Sequence, residues 1–373
     1  MILENTLEFD PKTEDGPFFE RFEHRPAVFA LFSDENAAPY IGRTRDLQRR
    51  LRRILRRPEG NSKLLNLRGI TRRIDYQYAG SGFEMQWMVY HLNRQYYPRQ
   101  YRARLRLRPP ALLKLNLGNR FPRLYPTRRV SRDGSFYYGP FPSRAAAERF
   151  AAEFLDLFKI RRCVEDLDPH PAHPGCIYSQ MRMCLAPCFQ GCTDEEYRQE
   201  VGRVIEFLAS DGESLAKGLK SERDRASADL DFERAAQLHR KVEKVQGALA
   251  LKPEPVRKLD DLHAVLVLPG AQPKTATFFL MCSGKLRGPA SLDLDENVPS
   301  PMSLDERFRR LFEDLLNQPE NSPASTLWEH LSLFAKWYYS SFRQGEIVML
   351  ASPGQIPYAK LIRICRKIIA NPS

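Results

Sequence analysis

The stretch from Cys163 to Cys188, CVEDLDPHPAHPGCIYSQMRMCLAPC, constrains this chain more than any other. Four of the seven cysteines fall in it, spaced C-x12-C-x7-C-x3-C, and Cys192 follows closely. Pro169, Pro171 and Pro174 crowd the segment before Cys176. A stretch so rich in turns buries little apolar surface of its own, which leaves its thiols as the groups able to hold it. A zinc finger would show two close pairs, whereas only Cys184 and Cys188 are close here. By ligand type, four thiolates suit zinc or a [4Fe–4S] cluster equally well. Cys163, Cys176, Cys184 and Cys188 are therefore read as a metal or iron–sulfur knot, with five free buried thiols as the alternative. Cys192 is a spare ligand, His170 and His173 are further candidates, and Cys282 and Cys365 are isolated core thiols.

The rest of the chain must be organised around that knot. At 373 residues it is too long for one ordinary core, and two or three domains are expected. No apolar run approaches the roughly 18 residues needed to span a bilayer. The acidic N-terminus lacks the basic-then-apolar layout of a secretory signal, so a cytoplasmic protein that does not engage membranes is expected. In a reducing compartment clustered cysteines bind metal more often than they form disulfides. A net charge of +12 calls for an anionic partner, with nucleic acid the first candidate.

That charge is concentrated. Arg43, Arg45, Arg49, Arg50, Arg52, Arg53, Arg56 and Arg57 share fifteen residues with a single acid, Asp46. Leu47, Leu51, Ile54 and Leu55 recur at helical spacing between them, and Pro58 and Gly60 would stop the helix. Like charges three and four apart repel, and phosphates would relieve that repulsion while releasing counterions. These eight arginines are the candidate DNA-binding face. A second basic run, residues 98–110, is interleaved with Tyr96, Tyr97 and Tyr101, which suits nucleic acid as well as plain packing.

Six segments are expected. Residues 1–24 read as a polar, poorly ordered lead-in. Residues 25–110 form a small α/β domain, with a hairpin of strands at 26–32 and 38–42, a third strand at 74–78 and a helix from Phe83 to Tyr96. Residues 111–162 hold linker strands, a turn-rich aromatic run at 135–141 and a helix from Ser143. The cysteine cluster occupies 163–192. Residues 193–252 are helical, opened by the capping box Thr193/Glu196, with two helices at 213–228 and 231–250 joined closely enough for an antiparallel hairpin. Paired strands and helices fill 253–373. The fold class is thus α+β and multidomain.

The order of these parts resembles the UvrC family of bacterial excision-repair nucleases. Ala27-Val28-Phe29 with Tyr40-Ile41-Gly42 looks like the paired motif of a GIY-YIG nuclease domain, and Arg43-Thr44-Arg45-Asp46-Leu47 continues it. Tyr138-Gly139-Pro140-Phe141 resembles the lead into the family's cysteine region, and Cys184-Leu185-Ala186-Pro187-Cys188 is its most family-like string. Asp231-Phe232-Glu233-Arg234-Ala235-Ala236 resembles the UVR motif through which UvrC meets UvrB. Residues 260–370 are similar to the first half of the family's RNase H-like domain. The resemblance implies a [4Fe–4S] cluster on the four cysteines, with zinc the alternative. It also implies DNA and UvrB-type partners, the latter contacted through Phe232, Glu233, Ala235 and Ala236.

Against that pattern the nuclease motif is altered. Phe29 stands where the family has a tyrosine, and it has no hydroxyl to accept or give a proton. Tyr40 and Arg50 match catalytic positions, Arg43 stands for a usual lysine, and Ile54 replaces a further tyrosine. The family's metal-binding glutamate falls on Val89, and Glu84 lies about 140° away around the helix. Without that carboxylate no Mg2+ or Mn2+ is expected to be held. Leu238-His239-Arg240 departs from the usual UVR string, leaving a helix hairpin packed on itself as the other reading of that segment. The later RNase H-like carboxylates and a helix-hairpin-helix unit are not expected. Three functions follow: a DNA-binding accessory of excision repair without GIY-YIG cleavage, an active endonuclease with a rearranged metal site at Tyr40, Arg43, Arg50 and Glu84, or a redox-responsive scaffold.

Overall fold

The computed structural model describes residues 3–34, 37–57, 67–131, 133–295, 301–319 and 326–370. It has three four-stranded sheets, each with helices against it. The first contains β1 (Asn5–Glu8), β2 (Ala27–Phe32), β3 (Tyr40–Thr44) and β4 (Arg73–Tyr78) in the order β1-β4-β2-β3, all antiparallel. On one face lie α1 (Asp15–Phe19) and α2 (Leu47–Ile54). The short α3 (Leu67–Ile70) leads into β4, and α4 (Gly82–Tyr96) covers the other face through Met85, Met88 and Leu92. A single turn, α5 (Tyr101–Arg104), begins the second basic run.

The lead-in expectation is overturned. β1 pairs with β4, and Phe9, Phe18, Phe19 and Phe22 are buried against Leu47, Leu51 and Leu55. The polar composition of the segment masks this, because three phenylalanines within five residues, Phe18, Phe19 and Phe22, are enough to make a buried face. The expected helix stop at Pro58 and Gly60, and half of the turn at 33–36, lie outside the described residues. Asp46 caps α2 by accepting the Arg49 N–H at 2.9 Å, and Ser81 caps α4 by accepting the Glu84 N–H at 3.1 Å.

The middle sheet contains β5 (Ala111–Leu115), β6 (Leu124–Thr127) and β7 (Phe136–Phe141), closed later in the chain by β8 (Arg257–Lys258). Residues 135–141, expected as a turn-rich run, are largely this fully buried strand β7. Its aromatics are core, packed with α6 (Arg144–Leu155) through Phe150 and Phe154. The cysteine segment follows, with only α7 (Ile177–Gln180) and a turn of 3-10 helix at Pro187–Phe189. Then come α8 (Asp194–Ala209), α9 (Glu213–Ala228) and α10 (Phe232–Ala250). The Thr193/Glu196 capping box forms, and α9 and α10 make the hairpin.

The last sheet has β9 (His263–Pro269), β10 (Thr275–Cys282) and β11 (Lys285–Asp293), with β12 after the next two helices, in the order β11-β10-β9-β12. α11 (Leu304–Asn317) covers one face and α12 (Thr326–Tyr338) the other; β12 (Glu346–Leu350) then leads to α13 (Tyr358–Ala370), which joins α11. α4 of the first unit also packs here, and Phe83 and Trp87 meet Phe279 and Trp337 edge-on or tilted at ring separations of 5.0 to 5.6 Å. Gly80 is required at this junction, since a Cβ there would sit 2.2 Å from the Gly270 backbone.

Phe19 tests whether the N-terminal segment belongs to the core. Phe19→Ala is expected to cost about 3–5 kcal/mol in urea unfolding. A loss under about 1 kcal/mol would return residues 1–24 to a peripheral role.

Candidate nucleic-acid interface and thiol cluster

The residues singled out in the nuclease-like motif divide across one strand. β3 is the edge of its sheet, and its side chains alternate between faces. Tyr40 and Gly42 lie on the α2 side with Phe29. The Phe29 and Tyr40 rings are 6.2 Å apart, and Phe29 is fully buried. Tyr40 is 40% exposed and its hydroxyl accepts from the Arg50 guanidinium at 3.4 Å. Ile41 and Val89 pack together on the α4 side. Arg43, on that side too, lines a cleft with Val89. The structure thus keeps Tyr40 and Arg50 in contact and sets Arg43 and Val89 around the same open edge.

Glu84 does not join them. Its carboxylate is 4% exposed and accepts the Gly80 N–H at 2.8 Å. It is committed to the start of α4, at the junction with the last sheet, where Gln344 also accepts the Gly82 N–H at 3.1 Å.

The arginine run presents the face its spacing predicts. Leu47 and Leu51 are buried and Ile54 half-buried, while Arg45, Arg49, Arg52, Arg53, Arg56 and Arg57 are exposed. None of these six has a carboxylate partner among the described residues. Asp46, the one acid, is spent on capping α2 and on His24, 2.9 Å away. The geometry leaves an unneutralised cationic surface, suited to phosphates.

The second basic run folds back over α4. Arg104 donates to Asn93 at 3.0 Å and lies 3.8 Å over the Tyr97 ring. Tyr101 is buried, and its hydroxyl donates to Glu329 at 2.6 Å. The aromatics of this run are thus largely packing, and two of its arginines, Arg104 and Arg106, line the cleft between α4 and α12. Sequence reasoning missed Lys336 and Gln86, which face the same cleft. A lone lysine and a lone glutamine on helices carry no signal until a neighbouring unit is placed over them.

The thiol segment is held by backbone hydrogen bonds and by Leu167, Leu185 and Cys192 packed against the core of the middle unit. Leu185 N–H donates to Lys159 O at 3.0 Å and His170 N–H to Cys188 O at 3.0 Å. None of its cysteines is joined in a disulfide among the described residues. Burial pushes the Cys184 thiol up to about 11, the Ala186 N–H at 3.3 Å pulls it back, and Cys163, Cys176 and Cys188 raise it further. The four sulfurs are therefore mutual electrostatic neighbours. As placed, no three His, Cys, Asp or Glu side chains among the described residues converge closely enough to enclose an ion. The surroundings nevertheless fit an anionic thiolate set. Arg161 is 1% exposed and has no carboxylate partner among the described residues. It donates to Phe121 O at 2.8 Å and Glu165 O at 2.6 Å, and lies 3.6 Å from the Cys163 sulfur. A buried guanidinium needs a counter-charge, and a thiolate at Cys163 would supply it. Cys192 lies beside Asp194 and Glu196 and is also an electrostatic neighbour of Cys188.

In the hairpin, Phe232 is 66% exposed and Leu230, at its tip, 71% exposed. Glu233 and Ala236 are exposed and Ala235 half-buried. Leu238, Val242 and Val245 face inward, so the two helices pack on one side and present an apolar tip on the other. No helix among the described residues is long and apolar enough to cross a membrane.

Two family models match this chain. One, described as the middle domain of the UvrC/Cho excinuclease, matches residues 111–207, and the other, the UvrB/uvrC motif, matches 213–248. Similar curated proteins include several named UvrABC system protein C. That of Carboxydothermus hydrogenoformans is 31% identical over 60% of this chain and 37% of its own length. That of Desulforudis audaxviator is 29% identical over 94% of this chain and 57% of its own, and that of Moorella thermoacetica 27% over 72% and 43%. The chain thus spans about half the length or less of these relatives. No solved structure matches it.

Glu84 gives a measurable signature of its burial. Desolvation lifts its pKa from 4.5 to about 7, partly opposed by the Gly80 hydrogen bond. Between those values the folded chain keeps a proton that the unfolded chain has released. Stability is therefore expected to fall as pH rises through that window and to level off above it, by roughly 3 kcal/mol in all. Glu84→Gln should remove this slope in urea titrations at pH 5 and pH 8. An unchanged slope would mean that the carboxylate is solvated.

Proposed function

Because this chain belongs to the UvrC family, we propose that it is a DNA-binding accessory of nucleotide excision repair that does not cleave through its GIY-YIG-like site. The observation that carries this reading is the setting of Val89. At the position of the family's metal ligand it lines a cleft with Arg43, Arg104, Arg106 and Lys336, and no carboxylate lines that cleft. Four cations repel a divalent metal where the family needs one held. Phe29, fully buried, offers no hydroxyl for proton transfer. Arg43 and the exposed arginines of α2 remain suited to phosphates, so DNA binding outlasts the chemistry.

In this reading Phe232, Glu233, Ala235 and Ala236 form the UvrB-type contact, with Leu230 and Phe232 as apolar anchors. Cys163, Cys176, Cys184 and Cys188 hold a [4Fe–4S] cluster or zinc, with Arg161 balancing its charge. When bound, that group crosslinks a segment that has no core of its own. Residues 260–370 correspond to the first half of an RNase H-like domain.

The second reading, a working nuclease, draws on the contact between Tyr40 and Arg50. Glu84 does not supply its metal ligand, because that carboxylate is buried at the Gly80 turn.

Nicking of lesion-bearing duplex with Mg2+ or Mn2+ is expected to be absent; nicking that disappears in Tyr40→Phe would establish the second reading instead. Duplex binding should show a steep salt dependence, and alanines at Arg49, Arg50, Arg52 and Arg53 should flatten it by about 3 in log–log slope. An unchanged slope would remove α2 from the interface. Anaerobically purified protein is expected to carry iron and sulfide or zinc, lost together with solubility in Cys184→Ser or Cys188→Ser. A metal-free, soluble double variant that still binds DNA would make the knot dispensable.

A further inference from the structure

The cleft beneath the second basic run is more than a closed nuclease-like site. It has a volume of ≈ 220 Å3 between α4 and α12 and continues into a second hollow of ≈ 350 Å3. The two share Arg106, Ser332 and Lys336. Arg43 and Arg104 line the first, Arg108 and Arg128 the second, and no acidic side chain lines either. The groove so formed runs from the edge strand β3, across the loop after α5, to the middle sheet.

Apart from Arg104, which donates to Asn93, its cations are not paired elsewhere. Arg43, Arg106, Arg108, Arg128 and Lys336 have no carboxylate partner among the described residues, and their side chains are exposed. The nearest buried acid on α12, Glu329, is fully engaged by Tyr90, Tyr101 and Arg102. The Gln86 amide nitrogen faces the cleft, buried and without a hydrogen-bond partner. Ser332 already accepts the Arg108 N–H at 3.3 Å, so its hydroxyl proton is left to give. The environment also resists its own charge, since desolvation and then Arg43 lower the Lys336 pKa. A protein surface that gathers like charges, leaves amide and hydroxyl donors unfilled and supplies no acid is matched by a chain of phosphates.

We propose that this groove is a second DNA site, which takes the backbone of a single strand across the junction of the first and last units. The size decides for one strand: hollows of this volume admit a phosphate or a nucleotide, and a double helix stays outside. Tyr339 lines the second hollow and gives a base an aromatic neighbour. Arg43 stands where the groove meets the strand that leads into α2. A duplex on the α2 arginines and a displaced strand in the groove can therefore be held together. The inference rests on the DNA-binding reading and adds a strand-specific site to it.

The test is fluorescence anisotropy with the full chain, a labelled 20-nucleotide oligothymidine and a labelled duplex, each across a salt series. Three variants are compared with the unaltered protein. The groove variant carries Arg106→Gln, Arg108→Gln, Arg128→Gln and Lys336→Gln. The helix variant carries the four α2 alanines. A charge-matched control carries glutamine at Arg234, Arg240, Lys241 and Lys244 on α10. All substituted groove residues are exposed, and unchanged thermal midpoints verify folding. The groove variant is expected to bind the oligothymidine at least tenfold more weakly at 50 mM salt, with a log–log slope lower by about 2–3, and the duplex within about threefold of the unaltered protein. The helix variant should show the opposite preference, and the control should match the unaltered protein. Equal oligothymidine binding by groove variant and control overturns the inference, as does equal loss of both DNAs. Duplex binding without any oligothymidine binding overturns the groove alone. Binding of neither DNA by the unaltered protein overturns the DNA-binding reading itself.

Discussion

The placing of the three sheets and the cationic cleft between them depend on one junction, the packing of α4 against the last sheet and α12. Glu329 is its polar centre. Its carboxylate, 1% exposed, accepts both tyrosine hydroxyls, Tyr90 and Tyr101, at 2.6 Å and the Arg102 guanidinium at 2.8 Å. A buried carboxylate is costly unless its lone pairs are filled, and three donors fill them. Around it Phe83, Trp87, Phe279, Phe334 and Trp337 form one core with Leu112 and Tyr137 of the middle sheet. The three sheets are thereby held to one another, so a helix of the first unit becomes an interior helix of the whole.

That packing changes what the nuclease-like motif can do. In an isolated α/β unit the face of α4 beyond the edge strand would open to solvent. Here the loop after α5 and α12 close over it and bring Arg104, Arg106 and Lys336 to Val89. In the proposed reading, the contact that gathers these cations leaves no setting for a divalent metal and creates one for anions. Loss of one chemistry and gain of another surface are one structural event in this reading.

The cysteine segment answers a different constraint. It lies between the middle sheet and α8, tied by backbone hydrogen bonds from Leu185 and His170 and by the buried Arg161. Its residues bury little surface of their own and lean on the neighbouring core. Arg161, buried without a carboxylate partner among the described residues, lies 3.6 Å from the Cys163 sulfur.

Local patterns carried much of this in the sequence. The hairpin β2–β3, the helix α2 with its arginine face, the capping box at Thr193, the hairpin of α9 and α10, and the family strings at the cysteines and at Asp231 are all set by spacing and residue chemistry within a few turns. Such features depend on neighbours along the chain, and the chain displays them. The burial of the N-terminal phenylalanines and of the aromatic strand β7 is not legible in the sequence, because it depends on partners distant along the chain. Gln86, Lys336, Arg128 and Glu329 were unreadable for the same reason: each gains its role only where α4, the basic loop and α12 meet. The sequence by itself determined which charges and thiols the protein has. Tertiary packing alone decided which of those groups face one another, because a cleft is made by surfaces that are far apart along the chain.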